Sequence, residues 1–275
     1  VEDPLSKHAD WQPLVIRRLA PLDVGKLTHV PSPAKMETFS FDFLIDLLGG
    51  EEYSPGVYYT PPSRRSIKLP THTWYGLDNR VEPYLPEKPG AHGAKLTAFF
   101  NTSLEEDDDE GPSDENVPVF ICASKWIDGG HPNLYVYYGS YSQHRWSDKL
   151  DYERMIEKVP NSVKEYWANF LTAAGRPEWL TDALVKHFWP PPEYTGPIPS
   201  ENSKLDKEIS KHVEGYIGDL KSWKTKADMK AGKLEPENIL QAFESPDADK
   251  PPGLRLWWEY LKCEGWDKGF YDALV

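Results

Sequence analysis

The sequence predicts an α+β protein in which a small curved antiparallel sheet or partly open barrel is flanked by helices and followed by an all-helical C-terminal lobe. Three observations predict it. Brief β-branched and aromatic runs alternate with Pro and Gly clusters from Gly56 to Gly139, the pattern of short strands joined by turns. After Trp146 the apolar residues recur every three or four positions, the period of helices with one buried face. The composition, 39% hydrophobic and 13% aromatic with 11 Trp, is that of a chain with a packed core.

The first 36 residues carry several prolines and little periodicity, and read as an extended arm anchored by Trp11, Leu14, Val15 and Ile16. Ser40 then precedes the apolar helical face of Phe41, Leu44, Ile45, Leu47 and Leu48, stopped by Gly49 and Gly50. The runs GVYYT, AKLTAFF, VPVFICAS and NLYVYYG are the candidate strands. Ser147 is positioned to cap a helix reaching about Lys158, and helices follow over Val163–Leu171 and Trp179–Phe188. WPPPEYTGPIP, at residues 189–199, is stiff and polyproline-like. Beyond it Leu205, Ile209, Val213, Tyr216, Leu220 and Trp223 form the seam of a long helix, with shorter helices around Ile239, Leu256 and Phe270. The expected organisation is an arm (1–36), an α+β core (37–188), a proline-rich linker (189–200) and a helical lobe packed on the core (201–275).

The formal charge of −13 is concentrated in one place. Between Glu105 and Glu115 lie eight acidic residues and no basic one, leaving −5 for the rest of the chain. Such a run reads as a solvated loop, because clustered like charges repel. A latch mimicking phosphate is the functional alternative. Cys122 and Cys263 are too few for a disulfide framework or a zinc site. No apolar run approaches the roughly 18 residues of a membrane span. These features lead to the expectation of an intracellular protein, nuclear or cytoplasmic, with no membrane partner, metal or cofactor.

Familiar catalytic markers are missing. There is no G-x-S-x-G, no phosphate-binding G-x-x-x-x-G-K-[ST] or G-x-G-x-x-G, and no H-E-x-x-H. The histidines are scattered, none paired at ligand spacing within a helix. No catalytic residue is assigned on this basis, and the reading leans away from an enzyme.

Two stretches concentrate the candidate binding residues. Glu82–Lys95 combines prolines with Gly90 and Gly93 around His92, a constrained turn that contains Tyr84 and leads into Lys95. LYVYYGSYSQHRW supplies Tyr137, Tyr141, His144, Arg145 and Trp146, aromatics and a cation suited to a stacking pocket. Trp74, Trp126 and Trp146 lie in or beside predicted loops, where binding competes with packing. Arg64 and Arg65 are candidate phosphate contacts, and KSWKTKADMKAGK, with five Lys against one Asp, is a further basic cluster or a helix end that complements its dipole.

At these residues the sequence resembles a fungal domain family of unknown function. The resemblance rests on FSFDFLIDLLGG, the P-x-x-P-G-x-x-G turn, the Y-x-Y-x-G-x-Y strand and VPNSVKEYWANFL, and extends into GLRLWWEYLKCEGWDKGFY, covering most of residues 37–275. It implies that the two lobes belong together in a fungal, intracellular protein. The turn followed by YVYYGSYS also looks like the core of SRA-type domains, PUA-like barrels that bind modified DNA bases and stack the extruded nucleotide between aromatics. That likeness implies a nucleic-acid reader, with Tyr137, Tyr141 and Trp146 stacking and His92, Lys95 and Arg145 holding base or phosphate. The alternatives are a protein-interaction or scaffold domain, and a hydrolase or transferase with an unfamiliar site near His92, Tyr141 and His144.

Overall fold

The computed structural model describes residues 12–61, 69, 71–101, 114–122, 134–144, 148–197 and 206–275. Their contacts gather them into two compact units, one holding residues up to Tyr166 together with Arg255–Val275, the other Trp167–Leu254. The expected boundary at residues 189–200 is not where this division falls. Trp11, Arg64, Arg65, Trp126, Arg145, Trp146, Ser147, Leu205 and all but the last two residues of the acidic run lie outside the described residues.

The first unit is an α+β structure built on a curled mixed sheet. Its strands are β1 (Phe39–Ser40), β2 (Glu51–Ser54), β3 (Val57–Tyr59), β4 (Thr73–Asp78), β5 (Gly93–Thr97), β6 (Val117–Cys122), β7 (Leu134–His144) and β8 (Trp257–Gly265). The order is β2-β3-β4-β6-β7-β8-β5, with β1 added beside β7. Every pair is antiparallel except β4–β6, because the chain leaves β4 for the far edge, forms β5 there and returns.

The four expected strand runs coincide with β3, β5, β6 and β7, except that β5 begins one residue earlier, at Gly93, and β7 runs on past Gly139 to His144. Trp74, read as a loop residue, is instead in β4 and fully buried, its indole N–H donating to Gly49 O at 2.9 Å. The helix expected around Leu256 is also corrected. Trp257–Gly265 is a strand between β7 and β5, so the C-terminal part is helical but not wholly so.

Two apolar clusters cover the two faces of this sheet. One contains Tyr75, Val119, Val136, Tyr141 and Leu261. The other joins Trp74, Phe120 and Tyr137 to α2 (Phe41–Leu48) and α8 (Lys268–Leu274). α2 forms as its local sequence dictates: Ser40 Oγ accepts from Phe43 N–H at 3.1 Å, and Gly49 ends the helix at φ 71°. The arm holds the short helix α1 (Leu14–Arg18), in which Ile16 is buried, whereas Leu14 is half exposed and does not anchor.

α3 (Tyr152–Lys158), capped by Asp151, precedes α4 (Asn161–Thr172), within which the two units divide. The second unit contains α5 (Glu178–Phe188), α6 (Asp206–Ala231) and α7 (Pro236–Glu244). Pro190, Pro191 and Pro192 end α5, since proline can neither donate the helical N–H nor accommodate the preceding turn. No helix among the described residues is long and apolar enough to cross a membrane.

Candidate functional site

The two stretches singled out in the sequence do meet. Gly90 N–H donates to Tyr138 O at 3.2 Å, and the Tyr141 hydroxyl donates to Ala91 O at 2.9 Å. Their side chains are nevertheless committed to packing. Tyr137 and Tyr141 have no exposed surface, and burial raises both phenol pKa values. Tyr84 is also buried, with its hydroxyl on Lys158 O and its ring edge-on to Trp258 at 5.0 Å. None of these three rings offers a free face to a ligand. The backbone freedom of Gly139 serves the same packing. At φ 122°, a Cβ there would stand 2.5 Å from Gly265 O, so glycine admits a neighbouring strand rather than a ligand.

His92 is a staple. Its Nδ1 accepts from Cys263 N–H at 3.0 Å, which leaves Nε2 to carry the proton donated to Ala20 O at 2.9 Å. One neutral tautomer thus ties the N-terminal arm to β8. His144 ends β7, half buried opposite Tyr260.

Lys95 is fully buried. Directly across from it on β8 stands Glu259, whose Oε2 lies 2.5 Å from Lys95 Nζ as an ion contact outside hydrogen-bonding angles. Glu82 completes the group by accepting from Leu96 N–H at 2.9 Å. Burial pushes the Glu82 carboxyl up to about 8, against the lowering pull of Lys95 and the Leu96 amide. The acidic partners were not among the sequence candidates. Their signal was available only as a strand-level fact, the register that sets Lys95 against Glu259.

In the second unit, a groove of about 700 Å³ opens between the end of α5, the last turns of α6 and the Lys250–Pro252 segment. Phe188, Trp189 and Trp223 form its aromatic part, and Lys226, Lys230 and Lys250 its cationic part. The Trp223 indole N–H donates to Trp189 O at 2.7 Å, fixing both residues, and Lys230 Nζ lies 5.7 Å from the centre of the Trp189 ring. A second hollow of about 730 Å³ shares Trp189, Lys230 and Lys250 and adds Lys233, Asn238 and Gln241. Asp219 and Asp249 also line these hollows, so four lysines face two aspartates. The lysines belong mostly to the KSWKTKADMKAGK cluster; the tryptophan they surround comes from the proline-rich segment. Among the described residues, no group of three or more His, Cys, Asp or Glu is arranged to hold a metal ion.

Residues 38–275 match the family model described as Domain of unknown function (DUF6697). The chain belongs to the DUF6697 family. The match takes in both compact units, so the sheet and the helical groove are parts of one DUF6697 domain. No curated protein and no solved structure matches the chain.

Proposed function

We propose that the chain is a non-catalytic recognition module whose groove beside α5 and α6 binds single-stranded nucleic acid. The observation that carries this reading is the Trp189–Lys230 pair, an indole with an ammonium beside its face, set among Trp223, Lys226 and Lys250. Half-buried indoles supply stacking platforms, worth about 1–3 kcal/mol per base. Lysines supply the phosphate attraction. The helical rise sets Lys226 and Lys230 about 6 Å apart along one side of α6, and Lys233 follows in the turn just past its end. Cations in that arrangement track a backbone rather than grip one point charge.

The burial of Tyr84, Tyr137 and Tyr141 favours the groove over a base-reading pocket in the sheet. The overall negative charge opposes non-specific binding, and so favours a ligand that gains from stacking as well as charge. An acidic protein segment is the second reading, supported by the same lysines and by Pro190, Pro192, Pro251 and Pro252 along the groove. Anisotropy titration of a labelled single-stranded oligonucleotide at low salt tests the proposal, with polyglutamate as competitor. Saturable binding that polyglutamate displaces poorly supports it. Equal displacement by polyglutamate, or no binding, overturns it.

A further inference from the structure

The two hollows that meet at Trp189 have unlike linings. Trp189, Lys230 and Lys250 border both. Pro190, Pro192, Trp223 and Ala227 belong to the first alone, an apolar wall that stacks a base without reading it. Asn238, Gln241 and Asp249 belong to the second alone. Asp249 is exposed and repels phosphate, so a strand keeps its backbone on the lysine side and turns a base toward α7.

α7 presents two amides there, and its own geometry sets them. Asn238 and Gln241 are three residues apart on the helix, hence neighbours on one face, and both are exposed. Asn238 Oδ1 accepts from Glu235 N–H at 2.9 Å at the start of the helix. A backbone N–H requires an oxygen, so this bond fixes the amide and leaves Nδ2 as a donor for a group in the hollow. The Gln241 amide has no hydrogen-bond partner among the described residues, so it turns either end outward. One side chain is a fixed donor; its neighbour is an adjustable donor or acceptor.

We infer that this pair selects a purine, on the basis that the groove holds a single strand. Adenine and guanine share an acceptor, N7, beside a group that differs between them: an amino donor at N6 in adenine, a carbonyl acceptor at O6 in guanine. The fixed Asn238 donor meets the constant N7, and Gln241 turns to meet N6 or O6. Pyrimidines offer O2 beside N3 in a comparable way, but their single ring gives Trp189 a smaller face to stack on. Asn238 and Gln241 are thus specificity-determining residues, while the lysines and Trp189 supply affinity for any strand.

Anisotropy titration of the wild-type chain with labelled dA, dC and 7-deaza-dA oligomers of equal length is the test, because 7-deazaadenine keeps the purine face and lacks the N7 acceptor. The dA strand is expected to bind tighter than the dC strand by at least about five-fold, and the 7-deaza strand to lose most of that advantage. Asn238→Asp keeps the oxygen that accepts from Glu235 and removes the donor; it should weaken every strand through its charge and bind dA and 7-deaza-dA equally. Gln241→Met, at an exposed position, should narrow the preference for dA over dC with circular dichroism unchanged. A wild type that binds dA no better than 7-deaza-dA, or no better than dC, overturns the inference and leaves the groove's role standing. So does an Asn238→Asp variant that still tells dA from 7-deaza-dA. A wild type that binds no strand overturns the groove's role and the inference together.

Discussion

Lys95 and Glu259 stand directly opposite each other on β5 and β8, with Nζ and Oε2 2.5 Å apart and both side chains withdrawn from water. Glu259 shares its side of β8 with Leu261 and Cys263, members of an apolar cluster, and this is why the pair is dry. A dry ion pair contributes little net stability compared with apolar residues of equal volume, but breaking it strands a charge.

Glu259→Gln is therefore expected to destabilise the protein by about 3–5 kcal/mol in urea denaturation. Joint replacement, Lys95→Met with Glu259→Leu, is expected to recover most of that loss. A double variant as unstable as the single one would show that the charges do more than match each other.

Glu82 gives stability a pH dependence. Its carboxyl stays protonated in the folded protein up to about pH 8, whereas the unfolded chain releases that proton near 4.5. The folded state binds more protons between these values, so the contribution of Glu82 is complete below 4.5, declines as pH rises and is lost above 8. Thermal midpoints across this interval should fall with pH, and Glu82→Gln should flatten the fall. An unchanged slope in the variant would assign the dependence elsewhere.

His92→Ala removes both hydrogen bonds between the arm and β8, at a cost of about 1–2 kcal/mol. Amide exchange at Cys263, whose N–H loses its acceptor, should accelerate. Binding in the groove should not change; weaker nucleic-acid binding would return His92 to the list of contacts.

Gly139→Ala is expected to be among the most damaging single-methyl changes. The φ of 122° costs about 1–3 kcal/mol for a residue with a Cβ, and that Cβ meets Gly265 O at 2.5 Å. A stability loss below about 1 kcal/mol in denaturant titration would contradict the strand packing.

What the sequence disclosed depended on how local each determinant was. α2 was legible because Ser40 caps it and Gly49 ends it within its own few residues. β8 was misread because Leu254, Trp257, Trp258 and Leu261 mimic helical spacing, while its extended form is set by β5 and β7, far away in the chain. The alternation of Tyr135, Tyr137 and Gly139 correctly announced a strand. The register shift beside Gly139 and Ser140 interrupts that period and puts Tyr141 in the cluster on the face opposite Tyr137, so their separate burial was invisible. The lysine cluster of α6 was visible, yet the groove was not, because Trp189 and Lys250 reach it from separate segments.

The recognition role of the groove is tested most directly by the salt dependence of single-stranded oligonucleotide binding, measured side by side for wild type, Trp189→Ala and Lys230→Glu. The wild type should bind at low salt, with log affinity falling linearly against log salt. Lys230→Glu should reduce both affinity and slope, while Trp189→Ala should lose about 1–3 kcal/mol of affinity with the slope retained. Binding absent in the wild type, or identical in all three proteins, would contradict the account.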